Sequence, residues 1–113
     1  MFQEKRANPR FKLHVPVAIH LEDSEVPIRG ATSDIGLGGC YIENLYTLPI
    51  GTQVELKLDI GDETLLVLAR VVTRDPQVGN GIQFTKILAE DLDALAHFLN
   101  SPESREHLEL ARE

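Results

Sequence analysis

From Lys12 to Glu22 the chain alternates, with Leu13, Val15, Val17, Ile19 and Leu21 on one face and His14, Pro16, Ala18, His20 and Glu22 on the other. A period of two sends successive side chains to opposite sides of an extended backbone, so this run predicts a half-buried β-strand. Pro16 has no N–H to give a ladder, which predicts a free edge or a bulge there. The polar turn Glu22-Asp23-Ser24-Glu25 leads to a weaker strand over Val26–Asp34, and Cys40–Leu45 reads as a third, with Tyr41 and Glu43 on one face and Ile42 on the other. Beyond Leu48-Pro49-Ile50-Gly51, the residues Val54, Leu56, Leu58 and Ile60 alternate with Gln53, Glu55, Lys57 and Asp59, which predicts a strand with one wet face. Gly61-Asp62 predicts a hairpin turn into Leu65–Val72, apolar on both faces apart from Arg70 and so expected to be central and covered on both sides. The loop Asp75–Asn80 precedes a short sixth strand, Gly81–Phe84. Six such strands joined by short turns predict an all-β fold, a six-stranded antiparallel β-barrel, followed by a C-terminal α-helix.

That helix is announced by a change of period: Leu88, Leu92, Leu95, Ala96 and Leu99 fall on one face of a 3.6-residue repeat. Glu90, Asp91 and Asp93 stand near its start, where the helix dipole favours carboxylates and needs no acid–base chemistry to explain them. Ser101-Pro102 has the form of an N-cap with proline at the first helical position, so Glu103–Arg112 is expected to add a second, short helix. The expected division is a flexible N-terminal arm over 1–12, a barrel with its helix over 13–100 and a helical extension over 101–113.

Composition narrows the class. A chain of 113 residues with 42% apolar and 26% charged residues is suited to one folded domain. Its single cysteine forms no internal disulfide and supplies no zinc motif, so Cys40 is expected to be a small strand residue in a reducing compartment. No apolar run approaches the roughly 20 residues that span a bilayer, and the charged start is not a signal peptide, so the expectation is a cytoplasmic chain without membrane insertion. The net charge of −7 disfavours broad binding to DNA or RNA, which needs many Lys and Arg contacts. The charge is uneven: Lys5, Arg6, Arg10 and Lys12 against Glu4 give the first 12 residues +3 and leave −10 for the rest. That basic cluster is either a solvated tail or a site for a small anion.

No catalytic constellation appears. His14 and His20 share a face but are separated by about 20 Å at strand rise, too far to hold one metal ion. Nothing has the spacing of a nucleophile elbow, a P-loop or a metal motif, so neither an enzyme nor a cofactor is expected. Two stretches carry recognition chemistry instead. Arg6 and Arg10 lie four apart on a segment stiffened by Pro9, and each guanidinium is a planar fork for phosphate oxygens or a guanine edge. Asp34-Ile35-Gly36-Leu37-Gly38-Gly39 joins two strands through glycines that can hold φ > 0 or let backbone N–H groups approach a ligand. The Asp34 carboxylate matches the N1–H and amino donors of guanine, as Arg matches its N7 and O6 acceptors. On spacing alone this stretch reads first as a tight turn closed by a capping Asp, since glycine punctuates many loops.

At these residues the chain resembles the PilZ domains, receptors for the bacterial second messenger cyclic di-GMP. Arg6-Ala7-Asn8-Pro9-Arg10 is similar to the family's RxxxR motif, Asp34–Gly39 to its [DN]xSxxG motif, and Gly79-Asn80-Gly81-Ile82-Gln83-Phe84 to its late GxGVxF strand. The resemblance implies a six-stranded barrel that clamps cyclic di-GMP through Arg6, Arg10, Asp34, Gly36 and Gly39 and passes the signal to a protein effector, as monomer or homodimer. Position 36 is Gly where the family has Ser, which removes a hydroxyl donor. The rival implication is a degenerate PilZ domain that binds no nucleotide and serves as a protein-interaction module in motility or pilus assembly. An acidic nucleic-acid binder of OB type lacks the basic and aromatic strand residues it would need.

Overall fold

The computed structural model describes residues 9–101. Seven strands and one helix follow in order: β1 (Arg10–Phe11), β2 (Pro16–Leu21), β3 (Ile28–Gly36), β4 (Gly39–Glu43), β5 (Gln53–Asp59), β6 (Thr64–Asp75), β7 (Gly79–Ile87) and α1 (Ala89–Leu99). Each pairing is antiparallel, the order runs β3-β2-β5-β6-β7-β4, and β4 pairs again with β3, closing a six-stranded barrel to which β1 is added on β3. Closure leaves no exposed edge between these six strands, the usual solution for a small antiparallel sheet. Among the described residues no helix is long and apolar enough to cross a membrane.

The interior is filled by the apolar positions of the alternating runs. Val17 and Ile19 from β2, Ile35 from β3, Cys40 and Ile42 from β4, Leu56 and Leu58 from β5, Val67 and Val71 from β6 and Ile82 from β7 are all buried. Leu13 and Val15 join them, yet residues 12–15 are not strand. The run expected as one strand from Lys12 is broken because β3 is shared: β2 pairs with its first half and β1 with its last residues. Thr32, buried at the junction, spans the gap. Its hydroxyl donates to the Leu13 carbonyl at 2.7 Å and accepts the Val15 N–H at 3.0 Å, while its own N–H donates to the Val15 carbonyl at 3.0 Å. Pro16 then opens β2 opposite Ala31 of β3, whereas the pairing of β2 with β5 begins at Val17. Proline at the first strand position avoids the ladder bond it cannot make, so neither a free edge nor a bulge is needed.

Two further expectations are corrected, and a third is left untested. β6 is central, lying between β5 and β7, but among the described residues it is covered on one side only: Leu65, Val67, Ala69 and Val71 point inward while Leu66, Leu68, Arg70 and Val72 face outward. The helix does not cover that outer face, because its buried residues Leu95, Phe98 and Leu99 join the barrel core. Leu88, placed on the helical face by periodicity, is the extended N-cap residue and is exposed, and Phe98 takes the buried role instead. Finally, the Ser101 hydroxyl donates to the Phe98 carbonyl at 2.8 Å and so closes the end of α1. The second helix expected over Glu103–Arg112 lies outside the described residues.

Candidate functional site

The stretch expected as a glycine loop is mostly strand. Asp34, Ile35 and Gly36 end β3, Gly39 and Cys40 begin β4, and only Leu37 and Gly38 form the bend between them. Neither Gly36 nor Gly39 has a positive φ. Their lack of a side chain serves close approach instead. A Cβ on Gly36 would lie 2.5 Å from the Pro9 carbonyl oxygen, and one on Gly39 would run into the Ile82 carbonyl oxygen and lie 3.0 Å from Arg10 Nη2. Glycine at these two places lets β1 lie against β3 and β4 against β7.

Pairing then determines which side chains meet. Arg10 on β1 stands opposite Gly36, and Asp34 on β3 stands opposite Tyr41 of β4. Arg10 Nη1 donates to Asp34 Oδ1 at 2.8 Å, and the two side chains retain 17% and 27% of their exposure. A half-buried pair with this geometry is a charge-assisted hydrogen bond with both groups still reachable from solvent. Four of the five residues singled out by sequence, Arg10, Asp34, Gly36 and Gly39, are thus gathered at one end of the β3–β4 hairpin. Arg6 lies outside the described residues. Arg10 and Phe11, expected at the end of a flexible arm, are held in β1 by β3.

The neighbours of the pair were not legible in the sequence, since they are brought by register. Gly39 faces Gln83 of β7, Gln83 faces Arg70 of β6, and Arg70 Nη2 donates to Gln83 Oε1 at 3.3 Å. Tyr41 faces Gly81, and its hydroxyl donates to Asp75 Oδ2 at 2.7 Å. Loss of solvation, followed by that carboxylate, pushes the Tyr41 phenol up to about 12. Beneath the pair, Cys40 is fully buried, and burial pushes its thiol up to about 12, with Arg10 pulling it down and Asp34 raising it. A thiol held so high stays protonated at neutral pH and is a packing residue rather than a nucleophile. Among the described residues no three His, Cys, Asp or Glu side chains are grouped so as to hold a metal ion.

The sequence matches the PilZ domain profile over residues 4–101. The chain belongs to the PilZ domain family. Its fold is that of other PilZ domains: the PilZ domain with c-di-GMP of YcgR from Escherichia coli superposes with a TM-score of 0.74 at 17% identity, covering 97% of this chain and 99% of that one. The Bacillus subtilis inhibitor of motility MotI/DgrA superposes at 0.70 with 20% identity over 85% of this chain and 49% of that one, so the domain spans about half of that protein. The Borreliella burgdorferi PlzA protein, in complex with c-di-GMP, superposes at 0.65 with 14% identity over 87% and 42%. No curated protein sequence matches the chain. At these identities the likeness shows the fold, and two of these three structures hold cyclic di-GMP.

Proposed function

We propose that this PilZ domain binds cyclic di-GMP at the Arg10–Asp34 pair and acts as a signalling receptor that passes the bound state to a protein effector. The observation that carries this reading is the ion pair itself, set beside Gly39, which matches the family's ligand motif, and Gly36, which stands at its serine position. Arg10 uses one N–H of Nη1 on Asp34, which leaves donors of the guanidinium for phosphate oxygens or for guanine N7 and O6. The same contact holds the Asp34 carboxylate in place, where its remaining lone pairs can accept guanine N1–H and amino donors. Pre-ordering of both groups lowers the entropy lost on binding. In this reading Arg6 supplies the second guanidinium, and Gly36 and Gly39 act through the backbone they admit, letting the neighbouring strands close in so that Arg10 lies beside Asp34. Recognition of this kind requires no bond to be made or broken, which is consistent with a receptor rather than an enzyme.

One observation favours a second reading. Gly36 replaces the family's serine, and the Pro9 carbonyl occupies the space in which a serine Cβ would stand. A hydrogen bond to a charged group is worth about 1.5–3 kcal/mol, roughly ten- to a hundredfold in affinity. Loss of that donor points toward a domain that binds weakly or serves only as a protein-interaction module. Isothermal titration of cyclic di-GMP into the full chain separates the two: saturable binding that is lost in Asp34→Ala supports the receptor, and a flat titration at high micromolar ligand supports the interaction module.

A further inference from the structure

The outer face of β6 is apolar and, among the described residues, uncovered. Leu66 is 45% exposed, Leu68 44% and Val72 37%, three large side chains on the solvent side of a strand that is hydrogen-bonded on both edges. Strands with apolar residues on both faces are ordinarily covered on both faces. Within the described residues the covering layer is missing, since α1 contributes its apolar residues to the core.

The charges beside this stripe have a pattern that identifies the cover. Leu68 is paired with Glu55 of β5 on one side and with Lys86 of β7 on the other, so one cross-strand row reads Glu55–Leu68–Lys86. The adjacent row reads Gln53–Arg70–Gln83. Glu55 and Lys86 are two strand spacings apart, about 10 Å, and among the described residues neither has an ion-pair partner. A two-fold axis running along β6 and lying between two facing copies exchanges left for right. It sets Leu66 and Leu68 over their own counterparts and places Glu55 of each copy over Lys86 of the other, twice. Gln53 likewise falls over Gln83. Arg70 would face its own copy, but its hydrogen bond to Gln83 draws the guanidinium toward β7, and the two-fold puts the two β7 strands on opposite sides. Stacking the faces about 10 Å apart is ordinary sheet-on-sheet packing.

We infer that the β5–β6–β7 face is a self-complementary interface through which two copies of this chain form an isologous dimer, the apolar centre supplied by Leu66 and Leu68 and the register set by reciprocal Glu55–Lys86 pairs. Neither Arg10 nor Asp34 lies on this face.

Sedimentation equilibrium of the 113-residue chain over a concentration series, with far-UV circular dichroism to show that each variant folds, tests this. The expected result is a monomer–dimer equilibrium that Leu68→Asp shifts to monomer, and that Glu55→Lys or Lys86→Glu weakens at least tenfold by opposing like charges. Mixing the Glu55→Lys and Lys86→Glu chains restores the dimer as a heterodimer, because each then carries the charge that complements the other. A parent chain that stays monomeric to high micromolar concentration overturns the inference and leaves the stripe to a different partner. A dimer indifferent to Leu68→Asp, or to the charge reversals and their mixing, overturns it as well.

Discussion

Three single residues around the β3–β4 hairpin have measurable consequences. Truncating one member of a desolvated, hydrogen-bonded charge pair typically costs about 2–5 kcal/mol of binding, so Arg10→Ala is expected to weaken cyclic di-GMP by tens-fold or more in isothermal titration. It also removes the ion pair from the free protein, and chemical denaturation is expected to show a loss of about 1 kcal/mol, the upper range for a pair that remains partly in water. Gly36→Ser tests whether the family's serine can be restored. The backbone at 36 is not left-handed, so the obstacle is space: a Cβ 2.5 Å from the Pro9 carbonyl forces β1 away from β3. Overpacking of this kind costs about 1–3 kcal/mol, and the expected outcome is a lower melting temperature with no gain in affinity. Cys40 gives a pH dependence. Its folded thiol titrates at about 12 against about 9 when exposed, so the unfolded chain loses that proton first as the solution becomes alkaline. The stability associated with the neutral thiol is therefore complete below about pH 9 and falls as pH rises toward 12. Stability measured across that range is expected to decline less steeply in Cys40→Ala than in the parent.

At the scale of elements, the break between β1 and β2 is what brings Arg10 to Asp34. An uninterrupted strand from Lys12 would keep pairing with β3 in one register, whereas the interrupted chain resumes pairing with Arg10 opposite Gly36. Thr32 makes that interruption tolerable by taking the bonds of Leu13 and Val15 on its side chain. Thr32→Val keeps the shape and removes both contacts, leaving a buried N–H and a buried carbonyl short of a partner. Unsatisfied groups of this sort cost about 1–3 kcal/mol, so urea unfolding is expected to show a loss of that size. Because the same junction positions β1, cyclic di-GMP affinity is expected to fall with it. A Thr32→Val chain with parental stability would mean that water or a backbone shift replaces the hydroxyl.

Across the whole molecule, the charge distribution bears on how an anionic ligand arrives. The first 12 residues carry +3 on a chain of net −7, so attraction at the arginines competes with repulsion from the body. Salt screens the distant repulsion and the close attraction unequally, the exposed and distant charges most. Affinity for the dianionic ligand, measured by titration between low and high salt, is expected to fall only modestly, unlike the steep dependence of a protein neutralising many phosphates. As for what the sequence determined, the alternation of Val54, Leu56 and Leu58 with Glu55, Lys57 and Asp59 sufficed to show strands and their inner faces, because side-chain direction along a strand is a local property of the backbone. The same holds for the spacing of Arg6, Arg10, Asp34 and Gly39, which carried the family resemblance. Which strand lies beside which is a property of pairing at long range, and the sequence pattern is silent on it. Only the closed barrel therefore decided that Arg10 meets Asp34, that Gln83 and Arg70 continue the row from Gly39, and that Gly36 is small because Pro9 passes over it. The outer face of β6 is misread from sequence for the same reason: apolar residues on both sides of a strand predict a cover on both, and among the described residues the fold supplies it on one side alone, through barrel closure and the docking of Leu95, Phe98 and Leu99 into the core.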